Sequence, residues 1–317
     1  MTDPVKRASR PGPWRLSEIN GSTTCEINSA SGPWAEAISK AKPEPTGWKA
    51  VPGQTALVTG ATGLLGSNLV RKLAEKGVKV RALARSKEKA EKQFGSLGLE
   101  IVVGDINDPK TFVVDRLPGL DVIFHTAAYF RDNYKGGKHW DQLYTTNVVG
   151  TANLLNECYQ VGIRRFVHIS STAVLRGRPG EVTDETKLRL ESESDDYQRS
   201  KILSDQEVFN FLAAHLDFWA AFVLPGWMHG PGDSGPTSAG QTVLDFLKRK
   251  MPGIPPGSFS VVDARDVAEA AILAAENGKR GERYLAAGRT VTMEDLKASD
   301  SFRRLSGEAL LLRGPFA

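Results

Sequence analysis

At 317 residues, with 41 basic against 37 acidic side chains and a net charge of +4, the chain is long enough for one large α/β domain carrying a smaller lobe. That charge is too mild and too dispersed for a nucleic-acid partner or a membrane surface, which leaves a small-molecule substrate as the expected partner. Its two cysteines, Cys25 and Cys158, lie in segments of very different character, which argues against a disulfide framework and for a cytoplasmic protein, and no metal-ligand cluster is legible.

Residues 1–53 contain prolines at 4, 11, 13, 33, 43, 45 and 52 and hold no apolar stripe, so they read as an irregular, disordered or loosely attached N-terminal arm. Trp14, Trp34 and Trp48 are unusual in such a segment. Even so, the arm is expected to add nothing to the fold, and deletion of residues 1–50 to leave it intact. No apolar signal-peptide core stands at the N-terminus, and runs such as "FWAAFVLPG" are too short to cross a bilayer.

After Gln54 the texture changes. "TALVT", "VKVRALA", "EIVVG", "DVIFHT", "RRFVHIS" and "FWAAFVLP" are nearly continuously apolar, as strands are when helices cover both faces of a sheet. Between them, "LLGSNLVRKLAEKG", "TTNVVGTANLLNECYQVG" and "YQRSKILSDQEVFNFLAAH" have helical periodicity. Alternation of this kind predicts right-handed βαβ units and a Rossmann-type, doubly wound parallel sheet over residues 54–225. Residues 226–317 are left for a small C-terminal substrate lobe.

The stretch "VTGATGLLGS" stands where the first strand passes into the first helix, with Gly60, Gly63 and Gly66 three apart. The first glycine permits the tight turn, the second lets backbone approach a pyrophosphate, and the third lets helix pack on strand. Thr62, Leu64 and Leu65 belong to the same turn and are counted with it as cofactor-binding. At the end of the second strand an NAD site would present a carboxylate to the ribose 2′-hydroxyl; here "VRALARSKEK" offers Arg85, Ser86 and Lys87. A cationic fork suits a 2′-phosphate, so the expected cofactor is NADP, with NAD as the alternative.

Further along, Asp105 and Ile106 in "VVGDI" end the third strand, where the carboxylate could accept from an adenine amino group or serve as a turn residue. His125 in "IFHTAA" is read as a packed histidine rather than a catalytic base. The small residues after it, Thr126, Ala127 and Ala128, keep backbone close to the cofactor. The fifth strand ends in "VHISSTAV", placing Ser170, Ser171 and Thr172 at the carboxyl edge of the sheet, where ligands bind in open α/β sheets. Tyr197 and Lys201 in "YQRSK" stand four apart, hence on one face of a helix. A lysine charge near the phenol lowers its pKa from about 10, so that it can exchange a proton with a carbonyl while hydride moves to or from a nicotinamide.

In order and spacing, "TGATGLLGS", "GDI", "FHTAA", "NVVGTANLL", "HISS", "YQRSK", "LPGWMHGPGD" and "VVDARDVAEA" resemble the extended short-chain dehydrogenase/reductases, the NAD-dependent epimerase/dehydratase superfamily, and within it the dihydroflavonol-reductase-like branch. The resemblance covers residues 54–298. It implies a catalytic triad of Ser171, Tyr197 and Lys201, with Thr172 the competitor of the serine and Lys201 also holding the nicotinamide ribose. It further implies that Asn147 is the family's helix asparagine and that Pro225 lies beside the nicotinamide. The long arm is foreign to the family, and members usually continue past "EALLLRGPFA", so an incomplete substrate lobe is expected.

The leading expectation is therefore an NADP-dependent enzyme that reduces a ketone or oxidises a secondary alcohol by hydride transfer, with Tyr129, Phe130, Leu175, Trp227 and Met228 as apolar pocket candidates. A nucleotide-sugar epimerase or dehydratase that retains its nicotinamide is the alternative, for which Arg131, Arg176 and Arg178 would supply charge. A non-catalytic NADP-sensing protein is the third. Specificity is assigned to residues 176–196, whose charges read as solvated, and a homodimer stays open as the assembly.

Overall fold

The computed structural model describes residues 47–130, 137–178, 180–233, 235, 237–248, 250, 257–292 and 294–295. Six strands expected from the sequence form β1 (Thr55–Thr59), β2 (Lys79–Ala84), β3 (Glu100–Val103), β4 (Val122–His125), β5 (Arg165–Ile169) and β6 (Trp219–Pro225). With β9 (Arg283–Ala286) they make one parallel sheet in the order β3-β2-β1-β4-β5-β6-β9. The strand order reverses between β1 and β4, which opens a crevice at their carboxyl ends.

Residue alternation sorts the strands into two cores. Ala56, Val58, Phe124, Val167, Trp219, Ala221 and Val223 face a layer that holds helices α1 (Leu64–Glu75), α2 (Lys87–Phe94) and α8 (Ala264–Asn277). Leu57, Ile123, Phe166, Ala220, Phe222 and Leu224 face the opposite layer with α3 (Lys110–Arg116), α5 (Gly150–Gln160) and α6 (Asp196–Ala214). Both faces are covered, which is why the strands read as unbroken apolar runs rather than alternating ones. A short helix, α4 (Trp140–Leu143), continues through a π-helical stretch, Tyr144–Val149, into α5.

At Gly226 the chain leaves the main sheet for a second one. A Cβ there would lie 2.5 Å from Ser260 Oγ and 2.9 Å from the carbonyls of Ala287 and Ser260, so only glycine fits the crossing. The second sheet pairs β7 (Trp227–His229) parallel and β10 (Arg289–Thr292) antiparallel to β8 (Ser258–Asp263). Helix α7 (Ser238–Leu247) lies between β7 and β8 in the chain.

Two features depart from the sequence expectation. Residues beyond 225 do not all belong to a separate lobe, because β9 returns to the main sheet as its seventh strand and α8 packs on α1 and β6. The arm also contributes to the fold at its end: Trp48 is 4 % exposed within the core, edge-on to Phe124 at 5.7 Å. Ala50 N–H donates to Glu276 Oε1 at 2.8 Å and Lys49 Nζ to Asn277 Oδ1 at 3.0 Å, fastening this segment to the end of α8. A large indole buried against the sheet is worth several kcal/mol, so deletion through residue 50 cannot be neutral. Trp14 and Trp34 lie outside the described residues.

Candidate active site

The glycine turn is built as its spacing requires. Gly60 has φ +62°, and a Cβ on it would come within 2.8 Å of Ala127 Cα; a Cβ on Gly66 would collide with the Gly60 carbonyl and lie 2.9 Å from Ala61 Cα. Gly63 is less crowded: a Cβ there would meet only the Gly60 carbonyl, at 3.2 Å, a tight contact that the carbonyl would have to relieve by a small shift. It caps α1 without a side-chain hydrogen bond, and the first turn holds no acidic residue. The positive end of the helix therefore faces an open cradle of backbone, which fits the pyrophosphate of a dinucleotide. Leu64 and Leu65 are buried beneath it, and Thr62 is half-buried.

Arg85, the first residue after β2, is exposed and has no hydrogen bond or ion pair among the described residues. Its neighbours are committed elsewhere: Ser86 Oγ accepts from Lys89 N–H at 3.1 Å to cap α2, and Lys87 pairs with Glu91 at 3.6 Å. Asp105 serves as a turn residue, its Oδ1 accepting from Asn107 N–H at 2.9 Å, while Ile106 is buried in the core.

Where the strand order reverses, β1 and β4 are stitched together. Thr126 Oγ1 donates to the Thr59 carbonyl at 2.6 Å, and Ala127 N–H donates to Thr59 Oγ1 at 3.1 Å. Ala128 is exposed. His125 is 2 % exposed between Thr59 Oγ1 at 2.9 Å and Thr151 Oγ1 at 3.0 Å. Burial, with His168 and Lys201 nearby adding to it, holds its pKa well below the usual value, so it is a neutral packing residue.

Helix α6 starts at a capping box: Asp195 Oδ1 accepts from Gln198 N–H at 2.8 Å and Gln198 Oε1 from Asp195 N–H at 3.0 Å. This puts Tyr197 in the first turn, half-buried, with its ring 5.2 Å from that of Phe130. One turn on, Lys201 is 3 % exposed and its Nζ donates to the Ile169 carbonyl at 2.7 Å. Burial draws the ammonium down to about 8, against the opposing pull of Asp205, so it stays mainly charged at neutral pH.

The three hydroxyls after β5 divide by role. Ser170 Oγ donates to Asp205 Oδ2 at 2.8 Å and is spent in the interior. Ser171 Oγ accepts from Ala173 N–H at 3.1 Å, an arrangement that leaves its own O–H able to donate outward. Thr172 opens the short 3-10 turn Thr172–Val174 that Ser171 caps.

Asn147 sits in the π-helical stretch, where its side chain clamps Tyr129: Oδ1 accepts from Tyr129 N–H at 2.7 Å and Nδ2 donates to the Tyr129 carbonyl at 3.0 Å. Nδ2 also reaches Ser200 Oγ at 3.0 Å, and Ser200 Oγ donates to the Tyr197 carbonyl at 2.8 Å. Asn147 thus joins the segment after β4 to the first turn of α6. Pro225 is buried at the end of β6.

Of the apolar pocket candidates, Trp227 is 38 % exposed and lies against Phe259, ring centroids 4.4 Å apart and planes tilted by 34°, and Tyr129 and Phe130 are half-buried. Leu175 is 5 % exposed within the main core, and Met228 packs against the opposite one, so neither is free to line a pocket as expected. Arg176 is taken up by Glu193 at 3.0 Å, Arg178 is exposed, and Arg131 lies outside the described residues. Sequence reasoning missed His168, Asp205 and the buried side chain of Arg283, which meet at Asp205, and Ser200, buried between Asn147 and the Tyr197 carbonyl. The signal for Asp205 was its place four residues beyond Lys201 on the same helical face.

Residues 56–287 match the NAD dependent epimerase/dehydratase family. The chain is similar to sterol demethylase protein B of Methylococcus capsulatus, at 38 % identity over 242 residues, covering 75 % of this chain and 71 % of that one. A Synechocystis sp. protein with the provisional name dihydroflavonol 4-reductase is 34 % identical over 247 residues, 76 % of this chain and 70 % of the other. Among solved structures, Candida albicans Gre2 in complex with NADPH superposes with a TM-score of 0.68 at 24 % identity, over 77 % of this chain and 80 % of that one. No helix among the described residues is long and apolar enough to cross a membrane. A glycine cradle at a helix N-terminus, set in a parallel sheet beside a Tyr-Lys pair, thus coincides with a family match over most of the chain, and the protein belongs to the NAD-dependent epimerase/dehydratase family of extended short-chain dehydrogenase/reductases, as an NAD(P)-dependent oxidoreductase.

Proposed function

We propose that the protein uses NADPH to reduce the ketone of an apolar, ring-bearing molecule, or oxidises the corresponding secondary alcohol, with Ser171, Tyr197 and Lys201 as its catalytic residues. The observation that carries this reading is the buried Lys201 ammonium, one helical turn from Tyr197 and anchored on the carbonyl of Ile169, the last residue of β5, two residues before Ser171. When bound, the dinucleotide supplies or accepts the hydride. Gly60, Gly63 and Gly66, with the α1 N-terminus, would hold its pyrophosphate, and Arg85, free of other partners among the described residues, would pair with a 2′-phosphate.

The remaining work falls to the side chains. Ser171 donates its O–H to the substrate oxygen and orients it. Tyr197 gives the same oxygen its phenolic proton as hydride reaches the carbonyl carbon, leaving a phenolate and the alcohol; oxidation runs the reverse transfer. Lys201 favours that phenolate through its charge, which burial keeps unscreened. The names of the relatives point to fused or aromatic rings, and the exposed indole of Trp227, backed by the tilted ring of Phe259, offers such a ring an aromatic face. A nucleotide-sugar epimerase would need cations for a diphosphate, and Arg176 is already paired with Glu193.

The test is NADPH oxidation followed at 340 nm with α-tetralone, acetophenone and a decalone, in the parent and in Tyr197→Phe. Loss of one hydroxyl removes the proton donor but keeps the ring against Phe130, so kcat should drop about 10²- to 10⁴-fold with NADPH affinity almost intact. A variant that keeps most of the parent rate removes Tyr197 from the chemistry.

A further inference from the structure

Three consecutive residues at the end of β5 are tied to one face of α6. His168 Nε2 lies 3.2 Å from Asp205 Oδ1, off the line of a well-formed hydrogen bond; the Ile169 carbonyl accepts from Lys201; and the Ser170 hydroxyl donates to Asp205 Oδ2 at 2.8 Å. Tyr197, Lys201 and Asp205 follow at four-residue spacing, so the helix presents phenol, ammonium and carboxylate in a column. That column runs inward from the half-buried Tyr197 to Lys201 and Asp205, each 3 % exposed. From β9, Arg283 Nε approaches the same Oδ2 at 3.9 Å, its guanidinium 4.6 Å over the Phe209 ring. Apolar side chains of equal volume would fill this space at least as stably as a buried carboxylate, so stability alone does not account for Asp205.

We propose that Asp205 is a positioning residue of this site, fastening the end of β5 to α6 so that Ser171, the next residue along, is held at a fixed separation from Tyr197 and Lys201. The proposal rests on the functional reading given above. It has an electrostatic side as well. The ionisable groups facing Lys201 are His125 from β4, His168 from β5 and Asp205 from its own helix, with Arg283 of β9 against Asp205. Burial lowers both histidines, so they are neutral, and His168 meets the carboxylate through Nε2. Burial pushes Asp205 upward, but His168, Arg283 and Lys201 together outweigh it and hold the acid ionised. Asp205 is thus the charge that keeps Lys201 an ammonium at neutral pH.

Asp205→Asn keeps the size and an acceptor for Ser170 but removes the charge; Asp205→Ala removes the tether too. For α-tetralone reduction, kcat should fall about tenfold in Asp205→Asn and about a hundredfold in Asp205→Ala, with the NADPH Kd within about threefold of the parent. In Asp205→Asn the alkaline limb of the kcat profile should move about one pH unit lower, and so should the Lys201 midpoint in a ¹⁵N-lysine NMR titration assigned with Lys201→Met. A rate loss that tracks only a fall in Tm, with limb and midpoint unmoved, would mean a merely structural role and overturns the proposal. Should the parent reduce no ketone, the functional reading fails by itself, and an unmoved Lys201 midpoint then overturns this one independently. If Asp205→Ala does not fold, Ser170→Ala isolates the tether: about tenfold lower kcat with the midpoint unchanged is expected, and parental kcat defeats the clamp.

Discussion

At Lys201 the role we propose and the structural cost have one physical origin, the burial of its charge. Its pKa is drawn from 10.5 to about 8 by burial, so holding the charge below pH 8 costs the fold about 3 kcal/mol. Because the folded value lies below the unfolded one, the unfolded chain binds more protons between pH 8 and 10.5, and this group's contribution to stability rises with pH across that window. Lys201→Met should therefore raise stability at pH 7 by about 1–3 kcal/mol, less than the full penalty because the Ile169 carbonyl loses its donor, and the gain should vanish by about pH 10.5. Urea midpoints of both proteins at the two pH values check it. At Arg85 the prediction concerns cofactor choice: an exposed guanidinium favours a 2′-phosphate, and Arg85→Asp should reverse the preference to NADH. Equal thermal shifts with NADPH and NADH in the parent would remove the basis for NADP.

Elements explain why the site can be rigid while its residues come from distant parts of the chain. The β1 end is sewn to β4 through Thr59, β4 to α5 through His125 and Thr151, and α5 to α6 through Thr151 and Ser204 at 3.3 Å. Each bond is modest, but all are buried, where leaving one partner unmatched costs about 1–3 kcal/mol. The segment before β1 behaves as part of this scaffold. Trp48→Ala should destabilise the protein by about 3–5 kcal/mol, since it opens a cavity beside Phe124, and deletion of residues 1–50 should cost at least as much. Chemical denaturation measures both, and a deletion variant of parental stability would show that the indole packing is dispensable.

Across the whole molecule, the crevice at the reversal of strand order lies against the glycine turn, and the second sheet hangs from Gly226 at the edge of β6. Dinucleotide bound there contacts only the folded state. At a hundred times its Kd, NADPH should add about 2.7 kcal/mol of stability. For a chain of this size that is a rise in Tm of about 5–10 °C, read by differential scanning fluorimetry. A Gly63→Ala variant, whose Cβ would meet only the Gly60 carbonyl while narrowing the cradle, should lose little of its own Tm yet most of that rise.

Six of the seven strands of the main sheet, the glycine turn and the Tyr197–Lys201 spacing were legible in the sequence because each is a local pattern: an apolar run, a triplet at a turn, a pair at one helical period. Short pairings were not legible. The four residues of β9 are half-buried and join β6 only through the tertiary fold, and nothing in residues 283–286 marks them as the edge strand of the main sheet. Trp48 has no periodic partner, so its docking depends on Phe124, 76 positions away, and on the end of α8. The same holds for the cluster beneath Lys201. His168 and Asp205 are separated by more than thirty residues, and only the packing of α6 on β5 sets one against the other and decides that Ser170 turns inward while Ser171 keeps a hydroxyl to offer. Local chemistry selected the residue types, but burial, which assigns each its protonation state and partner, is a property of the folded whole.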